Sequence, residues 1–552
     1  MGDQRRHLDT RARTPSRRAL IVGAVALALV AAACSSGSSS SSNHGSTATT
    51  AATAGSPTTL RALHAIRGTN ARIVDDQGRQ VLLRGVNVNS LGDYFQANPQ
   101  YATTVPVTDA DWTAMAAHGF DVVRLLVSWS RLEPTRGKID QAYVAQIHAA
   151  VDAAARHGIY SVIDLHQDAW GKYVASPPGV VCPSGAQPGI GWDGAPKWAT
   201  ITDGADTCAP AGVRELAPAV MHAFDHFYAD TDGIQTELVK TWASVAKSFA
   251  GDPAVAGYDL FNEPNWGSDV ASSGAKLGAF YQRAITAIRA AENAGGGFSH
   301  IVFFEPVVVF PSAGTLPPAS EVTDPNLVFA PHNYHGSIDP GTVEQGFADD
   351  LAAAKSYGTT MWIGEFGWFG TDAAATAGVT AFAAAQDTAM VGGTWWQWRQ
   401  ACGDPHSVGK RDGQPASQII EFDVNGCPGD KDLGPVPQWS PILSRAYPRS
   451  APGRLTSLRS DPATARLSLS GDGTDGQAGA RLVVWVPGRG THPAVGGQGI
   501  DHLTWQTVRG GWLVSAGVCR GGYTLTVGSG APDLSSTCGA VDDDGNSAAP
   551  SG

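Results

Sequence analysis

Eight apolar runs, each a few residues long, recur between residues 81 and 398: Val81–Asn87, Asp121–Trp129, Tyr160–His166, Val255–Glu263, His300–Pro306, Leu327–Tyr334, Met361–Glu365 and Gly392–Trp398. They are continuous rather than alternating, as strands covered on both faces must be. Helical periods lie between them. In one, Val144, Ile147, Val151 and Ala154 share a face and Gly158 ends the helix. Eight buried strands with intervening helices predict an α/β chain folded as a (β/α)8 TIM barrel. An open doubly wound sheet would need a topological switch point and usually a glycine-rich first loop. No Gly-x-Gly-x-x-Gly follows the first run. After about Tyr447 the pattern becomes short alternating segments, such as Ala480–Val486 and Gly522–Val527, separated by Gly/Pro/Asp turns. That predicts a small C-terminal β-sandwich. The expected domains are a barrel over 60–446 and a sandwich over 447–540, with a polar, disordered tail over 541–552.

At 552 residues the chain is long enough for both domains, and its apolar content is ordinary for a globular protein. The net charge is -12, and the arginines crowd the extreme N-terminus at Arg5, Arg6, Arg11, Arg13, Arg17 and Arg18. The remainder has no basic patch, which excludes nucleic acid as an expected partner. The arginines precede the apolar run Ala19–Val30 and then Ala31-Ala-Ala-Cys34. Residues 1–33 therefore read as a signal peptide of lipoprotein type, with Cys34 as the lipidated residue. Plain secretory cleavage is the other reading, and Ser16-Arg17-Arg18 also resembles a twin-arginine signal. The chain is expected to be exported, as a cell-envelope lipoprotein held at the membrane surface or as a secreted protein. Residues 34–59 form a Ser/Thr/Ala/Gly-rich linker. Six cysteines remain, and in an exported chain an even number predicts disulfides. Nearest-neighbour pairing gives Cys182–Cys208, Cys402–Cys427 and Cys519–Cys538. Their spacing is not that of a zinc site.

The chemistry is expected where the strands end. In a barrel the C-terminal ends of the strands carry the active site. Arg124, His166, Asn262, Glu263, His332, Tyr334 and Glu365 fall at these ends, with Trp396 and Trp398 beside them. Glu263 and Glu365 each close an apolar run, which places two carboxyls on rigid supports. Glycoside hydrolysis needs such a pair. Glu305 also precedes a proline at a strand end and is a decoy for the acid. The loops after strands three and eight, each with two cysteines, are long enough to be functional. Within the first, the aromatic stretch Val220–Tyr228 reads either as core packing or as the lining of a lipid groove. No metal or organic cofactor is implied, because carboxylates can carry the whole reaction.

These residues resemble glycoside hydrolase family 5. The carriers are Asn262-Glu263-Pro264, Glu365-Phe366-Gly367, His332-Asn-Tyr334 and Val123-Arg124-Leu125. Within that family, Leu83-Arg-Gly-Val-Asn87, Asp164-Leu-His-Gln-Asp168 and Arg445-Ala-Tyr-Pro448 before a sandwich resemble the endoglycoceramidases and endogalactosylceramidases. The resemblance implies a retaining double displacement, with Glu365 as nucleophile and Glu263 as acid/base. Glu263 is then expected to hold its proton more tightly than Glu365 does. It further implies that Arg124 and Tyr334 orient Glu365, and that Asn262 binds the sugar 2-hydroxyl. His166 and Asp168 would bind further hydroxyls, with His332 touching substrate or orienting its neighbours. Trp396 or Trp398 would stack on the sugar, since strand alternation puts both on one side. The loop after strand one lacks the lysine that many endoglycoceramidases carry there, which leaves Asn89 and Asp93 as candidates. The implied substrate is a glycolipid β-linked to a ceramide-type lipid, its chain in a groove lined by the loop between Trp170 and Tyr228. Two alternatives stand beside it: a family 5 enzyme for β-glucan or β-mannan oligosaccharides, and a non-catalytic glycan-binding surface lipoprotein.

Overall fold

A computed structural model describes residues 59–407, 420–477, 479–532 and 534–535. The signal peptide, Cys34, the linker up to residue 58, Cys538 and the tail lie outside the described residues. The eight barrel strands are Arg84–Val88, Val122–Ser128, Tyr160–His166, Val255–Asp259, Ile301–Phe304, Leu327–Phe329, Ile363–Phe366 and Gly393–Trp395. They are hydrogen-bonded in the order six, five, four, three, two, one, eight, seven, and every pairing is parallel. Parallel bridges Phe329–Met361 and His332–Glu365 join strands six and seven and close the ring. All residues of strands one to four are buried, as the continuous apolar runs require.

Several strands are shorter than the apolar runs. Strand four ends at Asp259 and strand six at Phe329, so Glu263 and His332 sit in the turns beyond them. The helix Gln141–Arg156 buries Val144, Ile147, Val151 and Ala154 against the barrel. Asp140 caps it, accepting from the Ala142 and Tyr143 N–H groups.

Leu83, Val122, Val162, Phe303, Val328 and Trp362 pack together at the start of the strands. Leu63, Ala65 and Ile73 join the same cluster. They belong to a hairpin, Leu63–Ile66 with Arg72–Asp75, that plugs the barrel's N-terminal end. With Arg79–Gln80 this hairpin also continues the sandwich's larger sheet, pairing onto Tyr447–Pro452. The smaller sheet contains Arg454–Asp461, Arg466–Asp472, Gly522–Val527 and Val495–Gln498. Leu469, Val484, Val514 and Leu525 fill the space between the two sheets.

Candidate active site

Strand two carries Arg124 to the centre of the barrel, where it is fully buried. A lone buried guanidinium would be prohibitively costly, so carboxylates surround it. Its Nε donates to Asp259 Oδ2 at 2.8 Å and its Nη1 to Glu365 Oε1 at 2.7 Å. Its Nη2 reaches Glu305 Oε1 at 3.0 Å, Asp164 Oδ1 at 3.0 Å and Asn262 Oδ1 at 2.9 Å. Glu365 stands on strand seven and also accepts the Tyr334 hydroxyl at 2.9 Å. The preceding residue must be small: a Cβ on Gly364 would lie 3.1 Å from the His332 ring.

Glu263 is held in a left-handed backbone conformation, φ 39°. Such strain survives only where the surroundings over-determine it. Here the Glu263 N–H donates to Glu305 Oε2 at 2.8 Å, and Gln167 Nε2 donates to the Glu263 carbonyl at 2.9 Å. The side chain projects into a cavity of about 300 Å³. His332 Nδ1 donates to Glu263 Oε1 at 2.9 Å and lies 3.5 Å from Glu365 Oε2, while its Nε2 lies 3.2 Å from Glu305. Oxygens of Glu263 and Glu365 come within 4.8 Å of each other.

Both nitrogens of His332 are spent on carboxylates. Burial opposes its charge, but Glu305, Glu365 and Glu263 raise its pKa well above the ordinary imidazole value. Such surroundings favour the charged form of the ring.

Burial and charged neighbours act on both carboxyls. At Glu263, burial opposes ionisation, but the His332 hydrogen bond and the Arg214 charge outweigh it and the pKa is lowered. At Glu365, burial outweighs His332 and Arg124 and the pKa is raised. Burial is the larger cause at Glu365 and the neighbouring Glu263 adds to it, while Arg124, which opposes it, also pairs with Asp164, Asp259 and Glu305.

His166, Asp168, Glu263, Tyr334, Glu365 and Trp396 all line the cavity. His166 bonds Asp164 at 2.8 Å and stacks on Trp396, with ring centroids 5.5 Å apart. Other expected residues do not line it. Asn262 is buried beneath, its oxygen on Arg124 and its amide donating to the Gln167 carbonyl at 2.8 Å. Trp398 points away, its indole N–H on Asp111 at 3.1 Å and its ring stacked on Phe422. Strand eight stops at Trp395, so its alternation never reaches these two tryptophans. Glu305 is 2% exposed and supports Glu263 from below. Asn89 bonds Asp404 at 2.7 Å, and Asp93 pairs with Lys172 at 2.6 Å. Neither lines the cavity.

Trp192, Arg214 and His406 were not singled out from sequence. Trp192 and Arg214 come from the loop after strand three. His406 comes from the loop after strand eight, whose cysteines had marked it for the active face. Its imidazole bridges Asp404 at 2.9 Å and Asp168 at 3.3 Å. Burial opposes that charge, yet the two acids push it up to about 9. Trp192 sits between glycines in the strand-three loop. Arg214 has no periodic or motif signal at all.

The disulfides Cys182–Cys208 and Cys402–Cys427 clip these loops. Cys538 lies outside the described residues, so the third pairing stays an expectation. The helix Pro218–Tyr228 buries Val220, Ala223, Phe224 and Phe227, which is core packing rather than a groove. The apolar part of the cavity comes instead from Ile338, Trp368, Phe369 and Ile420, in the loops after strands six, seven and eight.

Comparison with known proteins agrees with this geometry. Residues 74–401 match the family Cellulase (glycosyl hydrolase family 5). The crystal structure of an endogalactoceramidase is 43% identical and superposes with a TM-score of 0.77, over 85% of this chain and 100% of that one. Endo-glycoceramidase II from Rhodococcus sp., in a cellobiose-like imidazole complex, is 25% identical with a TM-score of 0.64, over 83% and 99% of the two chains. Endoglycoceramidase I of Rhodococcus hoagii (strain 103S) is 31% identical over 281 residues, 49% of this chain and 52% of that protein. The chain thus spans about half the length of the curated relatives it matches. Two glutamates from separate strands of one barrel converge on a single cavity, and the family match covers more than half of the chain: the chain belongs to glycosyl hydrolase family 5.

Proposed function

We propose that this protein is a retaining hydrolase of the β-linkage between a glycan and a ceramide-type lipid. One observation carries the reading. Two carboxyls with oxygens within 4.8 Å face a cavity that is polar around His166 and Asp168 and apolar around Ile338 and Phe369. Retaining glycosidases place their carboxyls roughly 5–5.5 Å apart, and inverting ones leave room for a water between them. A glycolipid needs a polar pocket for its sugar and an apolar surface for its chain. The names of the similar proteins, endogalactoceramidase and endoglycoceramidase, support the same substrate.

In this mechanism Glu365, oriented by Arg124 and Tyr334, attacks the anomeric carbon. Glu263 protonates the departing lipid oxygen and then takes a proton from the water that releases the sugar. Trp396 faces the pyranose ring, while His166 and Asp168 take hydroxyls. Export belongs to the same proposal, with Cys34 as a lipid anchor or with simple secretion. The two disulfides support it.

Substrate panels and two variants test the reading. Glucosyl- and galactosylceramides should be cleaved faster than soluble cellulose or mannan oligosaccharides, and the reverse order would overturn the lipid assignment. Glu365→Gln should abolish turnover of every glycoside. Glu263→Gln should retain activity on activated aryl glycosides while losing about 10²–10⁴-fold on ceramide glycosides, because only the latter need proton assistance. Equal, mild losses in both variants would remove the catalytic assignment.

A further inference from the structure

Arg214 plays no part in the two steps just described, yet it touches their acid. Its Nη2 lies 3.2 Å from Glu263 Oε2 and 2.8 Å from Asp168 Oδ1. Its Nε pairs with Glu215, and its guanidinium lies over the Trp192 ring, 4.4 Å from the centroid. The side chain is 23% exposed at the cavity wall.

Two cations therefore face Glu263, and they differ in mounting. His332 stands just beyond strand six and is fixed among three carboxylates. Arg214 rides on a single turn, Arg214–Leu216, of the disulfide-clipped loop after strand three. It also has a second acid, Asp168, to remain on when it leaves the first.

Double displacement asks opposite things of Glu263. In the first step its proton goes to the glycosidic oxygen as that carbon–oxygen bond breaks and Glu365 bonds to the anomeric carbon. Glu263 is left as a carboxylate. In the second step this carboxylate takes a proton from water while the water oxygen bonds to the anomeric carbon and Glu365 departs. A fixed cation at 3.2 Å favours the second requirement and opposes the first.

We propose that Arg214 is a positioning residue for Glu263, pairing with it whenever it must be a carboxylate and withdrawing onto Asp168 when it must carry a proton. The proposal rests on the reading of Glu263 as acid/base. The acids that face Glu263 are Glu365, Asp168 and Glu305, with Asp339 of the loop after strand six beyond them. Among the described residues, loss of Arg214 leaves His332 as the remaining close cation.

The test is the pH profile of kcat/KM on a ceramide glycoside. Its basic limb reports loss of the proton from the acid in the free enzyme. Removing a cation makes that proton harder to lose, so Arg214→Met and Arg214→Gln should move the limb to higher pH by about one unit. Arg214→Lys, which keeps the charge, should return it most of the way. Glu263→Gln, assayed on an activated aryl glycoside, should abolish the limb. If Arg214→Met lowers kcat/KM by one factor at every pH and leaves the limb in place, Arg214 is only a tether for its loop and the proposal is wrong. If Glu263→Gln keeps the limb, the acid/base reading falls and takes the role of Arg214 with it.

Discussion

At the scale of single residues, this site is governed by how few cations serve many carboxylates. Asp164, Asp259, Glu305 and Glu365 divide Arg124 among them, and Asp259, buried beside other acids, is pushed up to about 8. Breaking such a network costs about 3–5 kcal/mol for each partner removed, so these residues are structural and electrostatic at once. The two tryptophans after strand eight separate those roles. Trp396 faces the cavity between His166 and His406, whereas Trp398 is packed on Phe422. Trp396→Ala should lower kcat/KM of the folded fraction about tenfold to a hundredfold, the loss of roughly 1–3 kcal/mol of stacking and contact. Trp398→Ala should cost about 3–5 kcal/mol of stability and leave kcat/KM of the folded fraction intact. Thermal melts beside initial rates decide it, and an active-site loss confined to Trp398→Ala would exchange the two assignments.

At the scale of elements, the barrel carries the proposed reacting groups and the loops carry the surface proposed to select the substrate. Strand seven holds Glu365, and the turn after strand four holds Glu263. Ile338 and Phe369 lie in the loops after strands six and seven and are 60% and 44% exposed. Exposed apolar side chains gathered at one mouth mark a binding surface. Ile338→Ser with Phe369→Ser should reduce kcat/KM on glycosylceramides by about tenfold, some 1.4 kcal/mol, and leave aryl glycosides untouched. Equal losses on both substrate types would show that these loops shape the sugar pocket instead. The single turn bearing Arg214 belongs to the same class of element, since its contact with Glu263 depends on the loop's fold rather than on the barrel.

At the scale of the whole molecule, barrel and sandwich are one structure. Asp387, at the end of helix Ala373–Ala389, accepts Arg445 and Arg84 at 2.8 Å each, and its Oδ2 accepts the Ser460 N–H of the sandwich. Tyr447 donates to the Gly119 carbonyl across the same seam. Burial opposes ionisation of Asp387, but the two arginines prevail and lower its pKa. A lowered carboxylate stabilises the fold above its unfolded pKa of about 3.9, and that stability is lost as pH falls through the folded value. Asp387→Asn should cost about 3–5 kcal/mol at neutral pH by leaving two buried guanidinia unpaired. It should also flatten the acid side of the stability–pH curve. Denaturant melts at pH 7 and at about pH 2, below the unfolded carboxylate pKa, measure both effects; an unchanged melt at pH 7 would show that the clamp is unimportant. Cutting the chain at residue 446 should be worse, because it bares Leu82 and the edge of Arg79–Gln80.

Local pattern was enough for the barrel, its eight strands, the sandwich and the two carboxylates. A strand buried on both faces must be apolar throughout, and a reacting acid at its end must interrupt that run. Glu263 and Glu365 are therefore visible as interruptions, and the paired cysteines are visible as flags on long loops. What lies beyond a strand's last ladder bond is not periodic. Alternation could not separate Trp396 from Trp398, nor show that Asn262 and Glu305 lie beneath the cavity, because those turns take their path from distant partners such as Gln167 and Arg124. The segment 63–80, whose first hairpin plugs the barrel, pairs through Arg79–Gln80 with Tyr447–Pro452, about 370 residues on, which only the closed fold reveals. The acidities are likewise tertiary. The charge felt by Glu263 comes from His332 and Arg214, and that felt by Glu365 from a guanidinium shared four ways. Sequence names the groups that can ionise, but their protonation depends on distances that folding alone creates.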